Sequence, residues 1–113
     1  MVAKRFLEAN RRPLLLTDYV LDETVTLIQA RLSHANAVRF MDGILASPRV
    51  QLLYLTETDV QATVTLFRRY EDKTWSFTDC ASFLVMRRLS LDTAFAFDEH
   101  FRQAGFLLAQ EQI

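Results

Sequence analysis

The sequence predicts an α/β fold, a three-layer α/β/α sandwich around a parallel sheet, from two features. Short apolar runs at 14–16, 50–55 and 93–97 alternate with amphipathic stretches. This pattern is typical of helices that alternate with strands buried on both faces of a parallel sheet. Only two glycines and two prolines occur in 113 residues, which disfavours an all-β fold with its frequent turns. This length suits one domain spanning 1–113.

Local signals place the elements in order. Pro13 ends a first helix, because proline disfavours helical backbone at the residue before it. Thr17 or Asp18 caps the second helix, and Ser76 with Asp79 forms a capping box that starts the fifth. The predicted helices are 2–12, 18–32, 34–46, 56–70, 76–89 and 99–104, and the predicted strands are 14–16, 50–55, 93–97 and, at the sheet edge, 106–108.

Composition excludes several classes of protein. The net charge of -1 argues against a protein that holds nucleic acid by bulk positive charge. No apolar run approaches the ~20 residues of a membrane span, and the charged start lacks the apolar stretch of a secretory signal. A single cysteine, Cys80, cannot form an internal disulfide. We therefore expect a reducing cytoplasmic location.

Three acidic residues stand at positions that suggest a site. Glu23 falls in angle between Leu27 and Ala30, on the side of its helix that we expect to pack. It is either a rim residue paired with an arginine or a metal ligand, because an unpaired buried carboxylate is costly. Asp79 serves as a cap, a metal ligand or both. Asp98 follows the last buried strand and starts a turn or lies in a site.

Taken together, the three acids converge. Sites in parallel α/β sheets lie at the carboxyl ends of the strands, and we expect all three acids at that edge. Hard divalent cations prefer carboxylate oxygens. Glu23, Asp79 and Asp98 therefore form a candidate catalytic site for Mg²⁺ or Mn²⁺, in which the ion activates water and clamps a phosphodiester.

Three sequence stretches resemble the PIN domain, especially the VapC-like ribonuclease toxins. They are LTDYVLDET at 16–24, SFTDC at 76–80, and FDEHF at 97–101 followed by Gly105-Phe106. The resemblance implies a metal-dependent endoribonuclease, with Glu23, Asp79 and Asp98 on acidic positions of the family site. Thr78 matches a small hydroxyl residue near the metal. It also implies RNA as substrate, an antitoxin protein as partner and a homodimer.

One departure from the family is that the first strand, which ends in a metal-binding aspartate, has no counterpart before Leu14. In the family this strand is central, so its loss would leave an open slot with exposed strand edges. Three explanations fit this departure: a truncated product or late-start gene model, a sheet that is rearranged or filled by the chain's own N-terminal segment, or a second copy that closes the slot. We expect an oligomer, and activity impaired by the lost ligand. The alternative function is a catalytically inactive module that binds RNA, an antitoxin or itself.

Four other side chains receive ordinary interpretations. Arg87 and Arg88 either form a phosphate-binding patch or lie on a solvated face, and we expect the solvated face. Trp75 either stacks on a base or lies over the core. His100 is expected to pack or cap, with a place beside a metal as the alternative.

Overall fold

The computed structural model describes residues 14–91, 93–94 and 99–108, and the chain divides into two compact units. The N-terminal unit covers residues 14–56 of the described chain, and the C-terminal unit covers the described residues from 57 onward. The predicted helix at 2–12 and the predicted strand residues 95–97 lie outside the described residues.

The N-terminal unit is a β-α-α-β arrangement with a parallel strand pair. Its elements are β1 (Leu14–Thr17), α1 (Asp18–Arg31), α2 (His34–Ala46) and β2 (Val50–Leu53). Strands β1 and β2 pair in parallel, with Leu14 opposite Val50 and Thr17 opposite Leu53. The predicted strand at 14–16, the second strand and both helices are confirmed to within two residues.

Side-chain caps determine where the helices of this unit begin. The Thr17 hydroxyl accepts the Val20 N–H at 3.2 Å and starts α1, and the Ser33 hydroxyl accepts the Asn36 N–H at 3.0 Å and starts α2. Asp18 Oδ1 accepts the backbone N–H of Leu55 at 3.1 Å. This bond ties the carboxyl end of β1 to the chain that leaves β2.

The C-terminal unit contains three helices and a second parallel strand pair. Its elements are α3 (Glu57–Arg69), α4 (Phe77–Arg88), β3 (Thr93–Ala94), α5 (His100–Gln103) and β4 (Leu107–Leu108). Strands β3 and β4 are parallel, with Ala94 opposite Leu108. Gly105 has φ +96°, a backbone conformation that glycine adopts without steric cost, and it turns the chain from α5 into β4.

Helix α4 is the centre of this unit, and half of its residues are buried. Phe83 is fully buried, and its ring meets those of Trp75, Phe101 and Phe106 at centroid distances of 5.0, 4.8 and 5.7 Å. Such tilted and edge-on contacts add stabilisation beyond the buried area. The cluster fixes α4 against the segment that carries α5.

No helix among the described residues combines the length and apolarity that crossing a membrane requires.

Candidate functional site

Asp79 lies in the first turn of α4 and takes part in the predicted capping box. The Ser76 hydroxyl accepts the Asp79 N–H at 3.0 Å, and Asp79 Oδ2 accepts the Ser76 N–H at 3.0 Å. Both bonds satisfy backbone donors that the first helical turn leaves without helical partners. The capping interpretation of Asp79 is therefore confirmed, and its carboxylate oxygen Oδ2 forms part of the cap.

The same oxygen also meets a histidine from a different element. His100 Nδ1 lies 2.7 Å from Asp79 Oδ2, and His100 Nε2 lies 3.2 Å from the Thr74 hydroxyl. The side chains of His100 and Asp79 are 26% and 16% exposed, so the pair is partly shielded from water. The sequence predicted a packing or capping role for His100, with a place beside a metal as the alternative. No local pattern reveals a contact between residues 21 positions apart.

The Asp79 carboxylate also affects the next residue in the helix. Burial raises the pKa of the Cys80 thiol above its ordinary value, and the neighbouring Asp79 charge raises it further. The thiol is 1% exposed in the aromatic cluster. Cys80 is therefore a protonated core residue and not a thiolate nucleophile.

Glu23 does not lie on the packing side of its helix, and that prediction is wrong. It is exposed in α1, and so are Leu27 and Ala30 on either side of it. The half-buried stripe of α1 runs instead through Leu21 and Ile28. The reason is that α1 packs through a narrow stripe, whereas its apolar residues cover a wider arc. The exposed position of Glu23 therefore gives no support to its role as a metal ligand. That role rests on the match of the 16–24 stretch to the family motif.

The other predicted site residues are Thr78 and Asp98, with Glu23 as the third acid. Thr78 is half-buried in the first turn of α4, beside Asp79. Asp98 lies outside the described residues, and Glu23 belongs to the N-terminal unit. Within 14–91, 93–94 and 99–108, no three His, Cys, Asp or Glu residues gather in a group that could hold a metal. The convergence of the three acids thus stays a prediction.

The chemistry at Asp79 nevertheless fits a hard cation. Its Oδ2 accepts the Ser76 N–H and contacts His100, and its Oδ1 has no hydrogen bond within the described part of the chain. A carboxylate oxygen held in place beside a second oxygen that remains available suits Mg²⁺ or Mn²⁺.

For Trp75 the core alternative is confirmed, and for Arg87 and Arg88 the exposed position is confirmed. Trp75 is 6% exposed and its Nε1 donates to Gln103 Oε1 at 3.0 Å, so it is a core residue and does not stack on a base. The two arginines are exposed but have defined partners: Arg88 pairs with the buried Asp59, and Arg87 donates to the Ala104 carbonyl. Arg88 is held in place because the Asp59 side chain, in a residue only 3% exposed, requires a nearby cation.

Residues 1–107 match the sequence pattern of the PIN domain. The chain belongs to the PIN domain family. Among curated proteins this PIN domain is similar to the 23S rRNA-specific endonuclease VapC20 of Mycobacterium tuberculosis, from strains CDC 1551 / Oshkosh and ATCC 25618 / H37Rv. It is 36% identical to each over 106 residues, covering 93% of this chain and 79% of each relative.

A solved structure supports the same relationship. The crystal structure of Mycobacterium tuberculosis VapC20, described as a sarcin-ricin loop cleaving toxin, superposes with a TM-score of 0.87 at 32% identity. The match covers 94% of this chain and 81% of the VapC20 chain. The α/β PIN fold predicted from the sequence, and the resemblance to VapC-like toxins, are therefore confirmed.

Proposed function

We propose that this chain is a divalent-metal-dependent endoribonuclease of the VapC toxin type that cleaves the sarcin-ricin loop of 23S rRNA. The similarity to VapC20, which is 36% identical over 93% of the chain, carries the proposal. The substrate follows from the descriptions of that relative as a 23S rRNA-specific endonuclease and a sarcin-ricin loop cleaving toxin. The partly shielded Asp79 carboxylate also supports the proposal, because carboxylate oxygens suit Mg²⁺ or Mn²⁺.

In this proposal Asp79, Glu23 and Asp98 hold Mg²⁺ or Mn²⁺. When bound, the ion would supply a water of lowered pKa and would stabilise negative charge on the phosphate. The chain's own part is to hold the Asp79 carboxylate still: the Ser76 N–H and His100 both engage Oδ2. Asp98 precedes His100 by two residues, a stretch that spans at most about 7 Å. The bond from His100 to Asp79 therefore favours a common site for both acids.

The test is cleavage of 23S rRNA in intact ribosomes, mapped by primer extension with Mg²⁺ or Mn²⁺ and with EDTA. We expect a single cut in the sarcin-ricin loop that EDTA abolishes and that Asp79→Asn reduces at least 100-fold. Asp72→Asn is the matched control, because it makes the same chemical change at an acid 70% exposed in the preceding loop, and it should cleave like the wild type.

Equal cleavage by wild type and Asp79→Asn would remove Asp79 from the site. Cleavage that persists in EDTA would remove the metal. Tight binding of RNA or of a protein partner with no cleavage by any variant would favour the inactive interaction module.

We also propose an antitoxin protein and a second copy of this chain as partners, in the cytoplasm where ribosomes are found. Exposed leucines in the N-terminal unit support protein contacts: Leu27, Leu32 and Leu45 are 47%, 71% and 57% exposed. Sedimentation at micromolar concentration tests self-association, and a monomer throughout that range would contradict the dimer.

A further inference from the structure

We infer that His100 is a positioning residue that fixes the Asp79 carboxylate for its ligand. This inference rests on the proposed metal-dependent function and adds a residue to it. His100 acts through Asp79 and through no contact of its own with the metal or the RNA.

The chemistry of the two partners sets the direction of the hydrogen bond. An ionised carboxylate only accepts, so His100 Nδ1 donates to Asp79 Oδ2 across their 2.7 Å separation. A bond of this length to a charged acceptor belongs to the stronger class of protein hydrogen bonds. On the other side of the ring, Nε2 meets the Thr74 hydroxyl at 3.2 Å. Thr74, His100 and Asp79 thus form one chain of polar contacts.

Two donors on one oxygen restrict the carboxylate more than a helix cap requires. The capping box is complete with the Ser76 backbone N–H at 3.0 Å from Oδ2. The bond from His100 comes from another element, 21 residues away, and contributes nothing to the cap. Because both donors engage Oδ2, rotation of the carboxyl group is hindered and Oδ1 keeps one orientation. A carboxylate that is already fixed in its binding orientation loses less conformational freedom when it binds a metal.

The helix that carries His100 is itself anchored by two residues that follow His100. The next residue, Phe101, packs edge-on against the fully buried Phe83 at 4.8 Å. Gln103, one turn further along α5, accepts from Trp75 Nε1 at 3.0 Å. The loop residues 74 and 75 therefore contact the two ends of α5. A ring supported in this way can hold its partner in a fixed geometry.

The experiment measures Mn²⁺ binding to the whole chain by the electron paramagnetic resonance signal of free Mn²⁺. Wild type is compared with His100→Leu, which removes the donor, and His100→Asn, whose amide N–H replaces it near the position of Nδ1. Gln103→Ala is the matched control, since it breaks the neighbouring bond from the same helix and leaves Asp79 untouched. Thermal melting of each variant reports its folding.

We expect His100→Leu to weaken Mn²⁺ binding at least tenfold, the usual effect of losing a group that orients a ligand. His100→Asn should recover to within about threefold of wild type, and Gln103→Ala should stay within about twofold. A folded His100→Leu that binds like wild type would overturn the inference alone. Equal weakening by His100→Leu and Gln103→Ala would do the same, since it would mean a general structural effect. Wild type that binds Mn²⁺ no better than Asp79→Asn would overturn the proposed function and this inference together.

Discussion

Replacing Phe83 by alanine tests whether the aromatic cluster holds the C-terminal unit together. Phe83 is fully buried and meets three aromatic rings within 5.7 Å. Removing a buried phenylalanine side chain costs about 3–5 kcal/mol, from lost transfer energy and the cavity that remains. Phe83→Leu keeps most of the volume but loses the ring contacts, so it should cost about 2 kcal/mol.

The expected change in melting temperature follows from the size of the chain. An unfolding entropy of about 2.1 cal/mol/K per residue gives roughly 240 cal/mol/K for 113 residues. A loss of about 3–5 kcal/mol then lowers the melting temperature by roughly 13 to 21 °C. Differential scanning calorimetry measures the shift, and urea unfolding measures the free energy directly.

Leu89→Ala is the control for this prediction. Leu89 is 44% exposed just after α4, so the same kind of truncation should cost less than about 1 kcal/mol. Equal shifts for Phe83→Ala and Leu89→Ala would refute the role of the cluster as the centre of the unit.

Three further predictions concern single polar groups. Asp18→Ala should lower the free energy of unfolding by about 1–2 kcal/mol, because the Leu55 N–H loses its acceptor, and Asp18→Asn should lose less than half of that by urea unfolding. Arg88→Met should cost about 1–3 kcal/mol by leaving the Asp59 carboxylate buried without this cation, and adding Asp59→Asn should recover part of the loss. The raised pKa of Cys80 stabilises the fold fully below the unfolded thiol's value of 9.0 and loses that contribution as the pH rises through the higher folded value. Cys80→Ala should therefore show a shallower fall of the urea midpoint between pH 8 and 10.5, and identical slopes would contradict the shift.

The helices and strands were predictable because their signals are local. Thr17 and Ser76 accept backbone N–H groups three residues ahead of them, and this spacing can be read directly from the sequence. The apolar run at 14–16 needed no knowledge of its partner strand. Elements of this kind are set by neighbours within one helical turn.

The environments of single side chains were harder to predict because they depend on distant residues. Trp75 stands between polar neighbours in the sequence, yet it is buried, and its ring contacts Phe83 of α4 and Tyr70 just after α3. The prediction that Glu23 lies on a packed face was wrong for the opposite reason. Its apolar neighbours indicated such a face, but the helix packs through a different stripe. The pattern of apolar residues indicates which side chains a helix can bury. Which of them are buried depends on the element against which the helix packs.

The candidate site combines both kinds of information. Asp79 was identified from the spacing to Ser76 and from the family motif, and the structure confirms its cap. The contact between Asp79 and His100 spans 21 residues and two elements. It depends on how the turn at Gly105 and the packing of Phe101 place α5, which no short motif encodes.

The double attachment of Asp79 matters for anyone preparing a harmless version of this toxin-like chain for crystallisation or partner screening. Alanine at that position would remove the carboxylate of the proposed site and at the same time fray the start of a central helix, so altered binding could not be traced to either loss. Asparagine still offers an oxygen to the Ser76 amide while lacking the negative charge. It is the better choice for an inert protein that keeps its native surface.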